Sequence, residues 1–143
     1  MLCAVKEDLE FGAIGRLEQI VSSTFYADFL NMAQALLYQN RAEFVDIAAF
    51  LVGAVLENGL RRIARNHEVT LRESEDISSL NHKLADAKIY NDLWRQKIQL
   101  WNKLRGNADH TRFGRNSSSD ISHMLAGVRD FLIDFLASYA GRM

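Results

Sequence analysis

Not one proline occurs in the 143 residues of this chain, and that absence constrains its fold more than any motif does. Proline ends helices and marks sheet edges and turns. A chain that lacks it, and that also lacks alternating apolar and polar runs between turn signals, reads as helices joined by short loops. The expected class is all-α. Apolar residues make up 48% of the sequence, enough for one core at this common single-domain size. One domain is therefore expected over 1–143, with its core in roughly 17–140 and loops near 66–79 and 111–119.

Helical periodicity marks the elements. Leu17, Ile20, Val21, Phe25, Phe29, Met32, Ala33 and Leu36 recur at steps of three and four, as on a one-sided helix. Asn40 followed by Glu43 predicts a cap with an acid in the first turn, opening a second helix to about Arg65. Its expected core face is Phe44, Ile47, Leu51, Val55 and Ile63. His67 to Ser79 is polar and aperiodic and reads as a surface loop. A short helix is expected from Leu80 to about Lys88. Another follows a cap at Asn91 or Asp92 and carries Leu93, Ile98, Trp101 and Leu104, the two forming either separate helices or one broken one. Gly106, Gly114 and Asn116 to Ser119 loosen the chain. Ser119 or Asp120 then caps a last helix bearing Ile121, Met124, Leu125, Val128, Phe131, Leu132 and Phe135, with Gly141 at its end. Such stripes bury only against each other, which predicts a compact antiparallel bundle of four to five helices. Gly53 and Gly127 fall inside helices, where each marks a close crossing.

Cys3 is the single cysteine, so no intrachain disulfide forms and a reducing cytoplasm is expected. The first ten residues turn acidic, unlike a signal peptide, and no apolar run reaches about 18 residues, so no membrane partner is expected. Net charge is −1, but residues 1–60 carry −5 and residues 61–115 carry +5. Arginine outnumbers lysine twelve to five, and its planar fork suits phosphate oxygens or carboxylates.

Within the basic half, Leu104-Arg105-Gly106-Asn107-Ala108-Asp109-His110 sets a permanent cation and a neutral-pH proton carrier five positions apart. In an unbroken helix their side chains would diverge by about 140° and lie about 7.5 Å apart along the axis. They converge only if the helix breaks, for which Gly106 and Asn107 are suited, or if a second subunit brings its own copy. The bland alternative is a helix C-terminus whose basic residues complement the dipole.

This segment resembles the Arg-x4-6-His motif of HEPN domains (higher eukaryotes and prokaryotes nucleotide-binding), with four residues between Arg105 and His110. The layout is also similar over roughly 17–140: Gly53-Ala54-Val55-Leu56-Glu57 on a long second helix, a polar loop, an interrupted helix entering Leu104-Arg105, and an apolar last helix. The resemblance implies a HEPN-like bundle acting as a homodimer and as a metal-independent endoribonuclease, as in toxin or defence systems. His110 would move protons and Arg105 would hold the scissile phosphate, assisted by Asn107, Asp109 and Glu57. Arg61, Arg62, Arg65 and Arg112 would extend an RNA- or phosphate-binding surface, with no cofactor and no metal. The alternative is a non-catalytic HEPN-like module that binds a nucleotide, RNA or a protein partner. Two departures from the family pattern stand out. The residue after the arginine is commonly polar, often Asn, and here is Gly106. The tyrosine that is modified in some family toxins, two residues after the histidine, is replaced by Arg112.

Other chemistry finds little support. Asp120 and His123 stand three apart, but a bundle metal site needs several carboxylates and a repeated Glu-x-x-His. His67 and His82 read as surface or cap residues, and Trp94 and Trp101 as core or dimer-face residues. No phosphate-cradling glycine loop or nucleophile elbow is present.

Overall fold

The computed structural model describes residues 25–109 and 116–137, and among these every regular element is helical. Helix α1 runs through 25–38, α2 is Ala42–Asn66, α3 is Ile77–Asp86, α4 is Asp92–Asp109 and α5 is Ser118–Leu132. A π-helical turn, Ile133–Ala137, extends α5. The all-α bundle read from the sequence is the observed architecture. Helix α2 is its hub and packs against α3, α4 and α5. Helix α1 folds back antiparallel along α2, so that the Tyr26 hydroxyl donates to Asn58 Oδ1 at 2.5 Å.

The turn between α1 and α2 differs from the expected cap. Asn40 adopts a left-handed conformation (φ 54°), which asparagine tolerates better than most residues, and Arg41 becomes the N-cap without a side-chain bond. This turn fixes how the two helices face each other. The buried side of α1 is Tyr26, Leu30, Ala33 and Leu37, one position on from most of the predicted stripe. Phe25, Phe29 and Met32 are exposed instead, while Leu17, Ile20 and Val21 lie outside the described residues. On α2 the core is Val45, Ala48, Ala49, Val52, Val55, Leu56, Leu60 and Ile63, whereas Ile47, expected inside, is exposed.

Helix α3 begins at Ile77, three residues before the expected start, because Asp76 caps it by accepting from the Ser79 N–H at 2.8 Å. The preceding loop is not purely a surface feature. Glu75 is fully buried between Arg72 (2.9 Å) and Lys83 (3.0 Å), accepts from the Ser79 hydroxyl, and its carbonyl accepts from Arg61. The Arg72 guanidinium, aided by Lys83 and Ser79, outweighs the cost of burial and holds the Glu75 carboxyl down at about 2. Its folded value lies below the ordinary 4.5, so its stabilising contribution is complete above pH 4.5 and is lost as pH falls toward 2. Urea unfolding at pH 6 and pH 3 should therefore show a larger loss of midpoint for wild type than for Glu75→Gln, which has no proton to take up. Equal losses would remove Glu75 from the acid response.

Lys88 takes a positive φ of 59° between α3 and α4, so these are two helices rather than one broken helix. Asn91 caps α4 through the Trp94 N–H at 3.0 Å. A polar staple joins the pair: the Tyr90 hydroxyl donates to Asn81 Oδ1 at 2.6 Å, and Asn81 Nδ2 donates to the Arg95 carbonyl at 2.9 Å. Burial without a cationic neighbour of matching strength raises the Tyr90 hydroxyl well above its usual pKa, so it stays a donor. Ser117, rather than Ser119 or Asp120, caps α5 by accepting from the Asp120 N–H at 3.0 Å. The predicted inner face of α5 is observed, with Ile121, Met124, Leu125, Val128, Phe131 and Leu132 all buried. Among the described residues, no helix is long and apolar enough to cross a membrane.

Gly53 and Gly127 both mark close crossings, as expected. A Cβ at Gly53 would lie 2.6 Å from Arg105 Cδ, and one at Gly127 would overlap the Trp101 ring. Each helix pair approaches closely because one partner has no side chain there, and the approach offsets glycine's poor helix propensity.

Candidate functional site

Arg105 lies in the last turns of α4, and its position follows from two helices. Trp94, Ile98 and Trp101 define the inward face of α4, with Ile98 and Trp101 buried. Seven residues beyond Ile98, Arg105 comes round to the same side. There it meets α2 at Gly53, where the missing side chain leaves a channel for its aliphatic stem. The guanidinium emerges one turn further along α2 and donates from Nη1 to Glu57 Oε1 at 3.2 Å. The Arg105 side chain is 20% exposed and that of Glu57 is 30%, so the pair is mostly buried but keeps part of its surface in solvent. Such a pair sits between the exposed and buried regimes. Its geometry orients the guanidinium while the pair stays partly hydrated.

The helix does not break where the motif would need it to. Helix α4 runs continuously through Gly106 and Asn107 to Asp109, so the expected break at Gly106 is not present among the described residues. Among the described residues no packing demand accounts for the glycine, since a Cβ at Gly106 would have nothing within 4 Å. Gly106→Ala should therefore stabilise the protein by about 1 kcal/mol through helix propensity alone. The check is a chemical-denaturation midpoint, and a loss of stability would show that this position needs glycine's freedom.

A support not anticipated from the sequence lies behind the motif. Asn116, expected in a loose run, is buried and donates from Nδ2 to the Leu104 carbonyl at 2.9 Å. It pins the start of the Ser117-capped helix to the residue preceding Arg105. An asparagine just before a serine cap was the available signal, but a polar loop gives the same composition.

The remaining predicted residues divide into four groups. Glu57 is brought onto Arg105, the one pairing that the sequence resemblance anticipated across helices. Arg61 and Arg62 are partly exposed, and each also has a partner within the fold. Arg61 bonds to the Glu75 carbonyl, while Arg62 lies against the Tyr26 hydroxyl and lowers its pKa, partly opposing the increase from burial. Arg65 is exposed in the last turn of α2. Asn107 and Asp109 belong to the final turn of α4, but their side chains lie outside the described part of the structure, as do His110 and Arg112 altogether.

Elsewhere, Trp101 is buried in the core and Trp94 packs against it partly buried, tilted on Trp101 and Phe131 and edge-on to Phe135. His82 pairs with Asp86 at 3.1 Å on an exposed face. Among the described residues no three His, Cys, Asp or Glu side chains cluster as metal ligands would. Compared with protein families, curated proteins and solved structures, the chain finds no match.

Proposed function

We propose that this chain is a HEPN-like endoribonuclease that cleaves RNA without a metal ion, as a homodimer, using Arg105 and His110. The supporting observation is the Arg105–Glu57 pair built over Gly53: an arginine led through a helix crossing, held by a carboxylate, and only partly buried. An arginine that only complemented a helix end would need neither the channel nor the carboxylate.

In this reading Arg105 takes the non-bridging oxygens of a phosphodiester and stabilises the charge that builds on them. His110 removes the proton from the ribose 2′-hydroxyl. The 2′-oxygen attacks phosphorus, the bond to the 5′-oxygen breaks, and a protonated histidine returns a proton to that leaving oxygen. The products carry a 2′,3′-cyclic phosphate and a 5′-hydroxyl. Because α4 stays helical through Asp109, convergence of Arg105 with a histidine is most readily met by the second copy of the motif. Asn107, Asp109 and Arg112 are assigned to the same surface by the resemblance.

A second reading has one observation in its favour. Glu57 already occupies part of the Arg105 fork, as suits a module that binds RNA, a nucleotide or a protein without cutting. The deciding experiment incubates wild type and His110→Ala with mixed RNA in EDTA and identifies the fragment ends. Cleavage by wild type alone, with cyclic phosphate ends, is the expected result. Retention of RNA on a filter by both proteins, with no fragments from either, would replace the nuclease with the binding module.

A further inference from the structure

We infer that the exposed strip of α2 is a two-fold interface between two copies of this chain. The strip runs Glu43, Ile47, Phe50, Ala54, Asn58 and Arg65, at the steps of three, four and seven that keep to one helix face. Ile47 and Phe50 are 47% and 49% exposed, although both are large and apolar. Beside them on α1, Phe25, Phe29 and Met32 are 51%, 39% and 53% exposed. The two helices enclose a groove of about 260 Å³, floored by Leu51, Ala54 and Val55 and walled by Phe25 and Phe29.

The strip is complementary to itself when reversed. Ala54 is its midpoint: Glu43 and Arg65 lie eleven residues to either side, and Phe50 and Asn58 four residues to either side. Two α2 helices packed antiparallel about Ala54 would set each Glu43 against the partner's Arg65, both exposed. Each Phe50 would fall opposite the partner's Asn58, at the mouth of the apolar groove that Asn58 helps to line. A protruding ring and an acid on one half thus meet a groove and a base on the other, as an isologous contact requires, and the small residue at the centre permits close approach. The area is adequate. Five half-exposed side chains offer on the order of 450 Å² of apolar surface, against about 500 Å² for the apolar share of a standard homodimer interface per partner.

One consequence rests on the proposed nuclease reading. Glu57 lies three residues from Ala54, so the two Glu57 carboxylates would stand about 9 Å apart along the axis, bringing both Arg105 pairs to the rim of one interface.

The test is sedimentation and light scattering of the full chain at micromolar concentration. Wild type should have twice the 16.3 kDa chain mass. Phe50→Glu should be monomeric at unchanged helical circular dichroism, with a cooperative melt whose midpoint no longer depends on protein concentration. Glu43→Arg and Arg65→Glu should each weaken the dimer tenfold or more at low salt, and their combination should recover it. Ala54→Cys in a Cys3→Ser background should form a disulfide-linked dimer on oxidation, whereas Ile133→Cys, exposed on another helix, should not. A monomeric wild type, whatever else covers this face, would overturn the inference, as would a dimer indifferent to Phe50→Glu and not linked through position 54. None of these readouts uses RNA. A dimer that cuts nothing would end the nuclease reading alone, a dimer that cuts but is indifferent to Phe50→Glu would end this one alone, and a monomer that cuts would end this one together with the homodimeric part of the nuclease reading.

Discussion

Arg105→Ala is expected to lower RNA cleavage by roughly 10²–10³-fold, the usual cost of removing one preorganised donor to a developing oxyanion. The fold should survive, because the stem sits in the channel over Gly53 and the side chain left behind, Glu57, keeps 30% of its surface in water. The unpaired carboxylate is therefore rehydrated rather than stranded. Arg105→Lys separates charge from shape. A lysine in the same channel carries the cation but not the planar fork, so it cannot face Glu57 and a phosphate at once. Cleavage by the lysine variant should stay within several-fold of the alanine variant. The measurement is initial cleavage rate on a single labelled RNA, alongside thermal melting. Unchanged cleavage in Arg105→Ala would leave the Arg105–Glu57 pair as a brace between α2 and α4.

The largest effect on stability is expected at the other end of the bundle. Phe131 is fully buried, with ring centroids 5.6 Å from Tyr90, 5.2 Å from Trp94 and 4.9 Å from Phe135. Tyr90 meets it edge-on at 76°, the arrangement favoured by ring quadrupoles. Phe131→Ala removes the ring that the other three share, and the cavity cannot close because Tyr90 is tied to Asn81 and Asn81 to the Arg95 carbonyl. The expected loss is about 3–5 kcal/mol, or a fall of roughly 10–15 °C in melting temperature for a domain of this size. Trp94 fluorescence should also shift to the red as water gains access. A loss below about 1 kcal/mol would mean that the aromatic cluster repacks around the gap.

Features that depend on period and on missing residues were legible in the sequence. Helix count, the inner faces of α5 and the later half of α4, and the close crossings at Gly53 and Gly127 were all readable. A stripe at steps of three and four marks a helix face, and a mid-helix glycine costs stability unless a close crossing needs it. On α1 Ala33 was read correctly and the rest of the described face one position off. That helix carries two adjacent apolar stripes, Phe25-Phe29-Met32 and Tyr26-Leu30-Ala33-Leu37, and periodicity alone does not rank them. The left-handed Asn40 and the Tyr26–Asn58 bond decided which one turned inward.

The candidate site divides along the same line. Arg105, His110 and their spacing stand in the sequence, and the resemblance they carry named Glu57. That Arg105 reaches Glu57 across 48 residues is a fact of tertiary structure, because it needs α2 and α4 to touch at Gly53. The buried Glu75 cluster, the Asn116 strut and the partner of Arg61 within the fold were hidden for one reason. A polar residue in a loop has the same composition whether it faces water or a buried partner, and only the packing of distant segments determines which. Periodicity is a local property, so the helical class and the approximate course of each helix follow from the order of residues alone. The rotation of each helix, the burial of individual charges and the exposure of Ile47 and Phe50 depend instead on which surfaces the turns bring together.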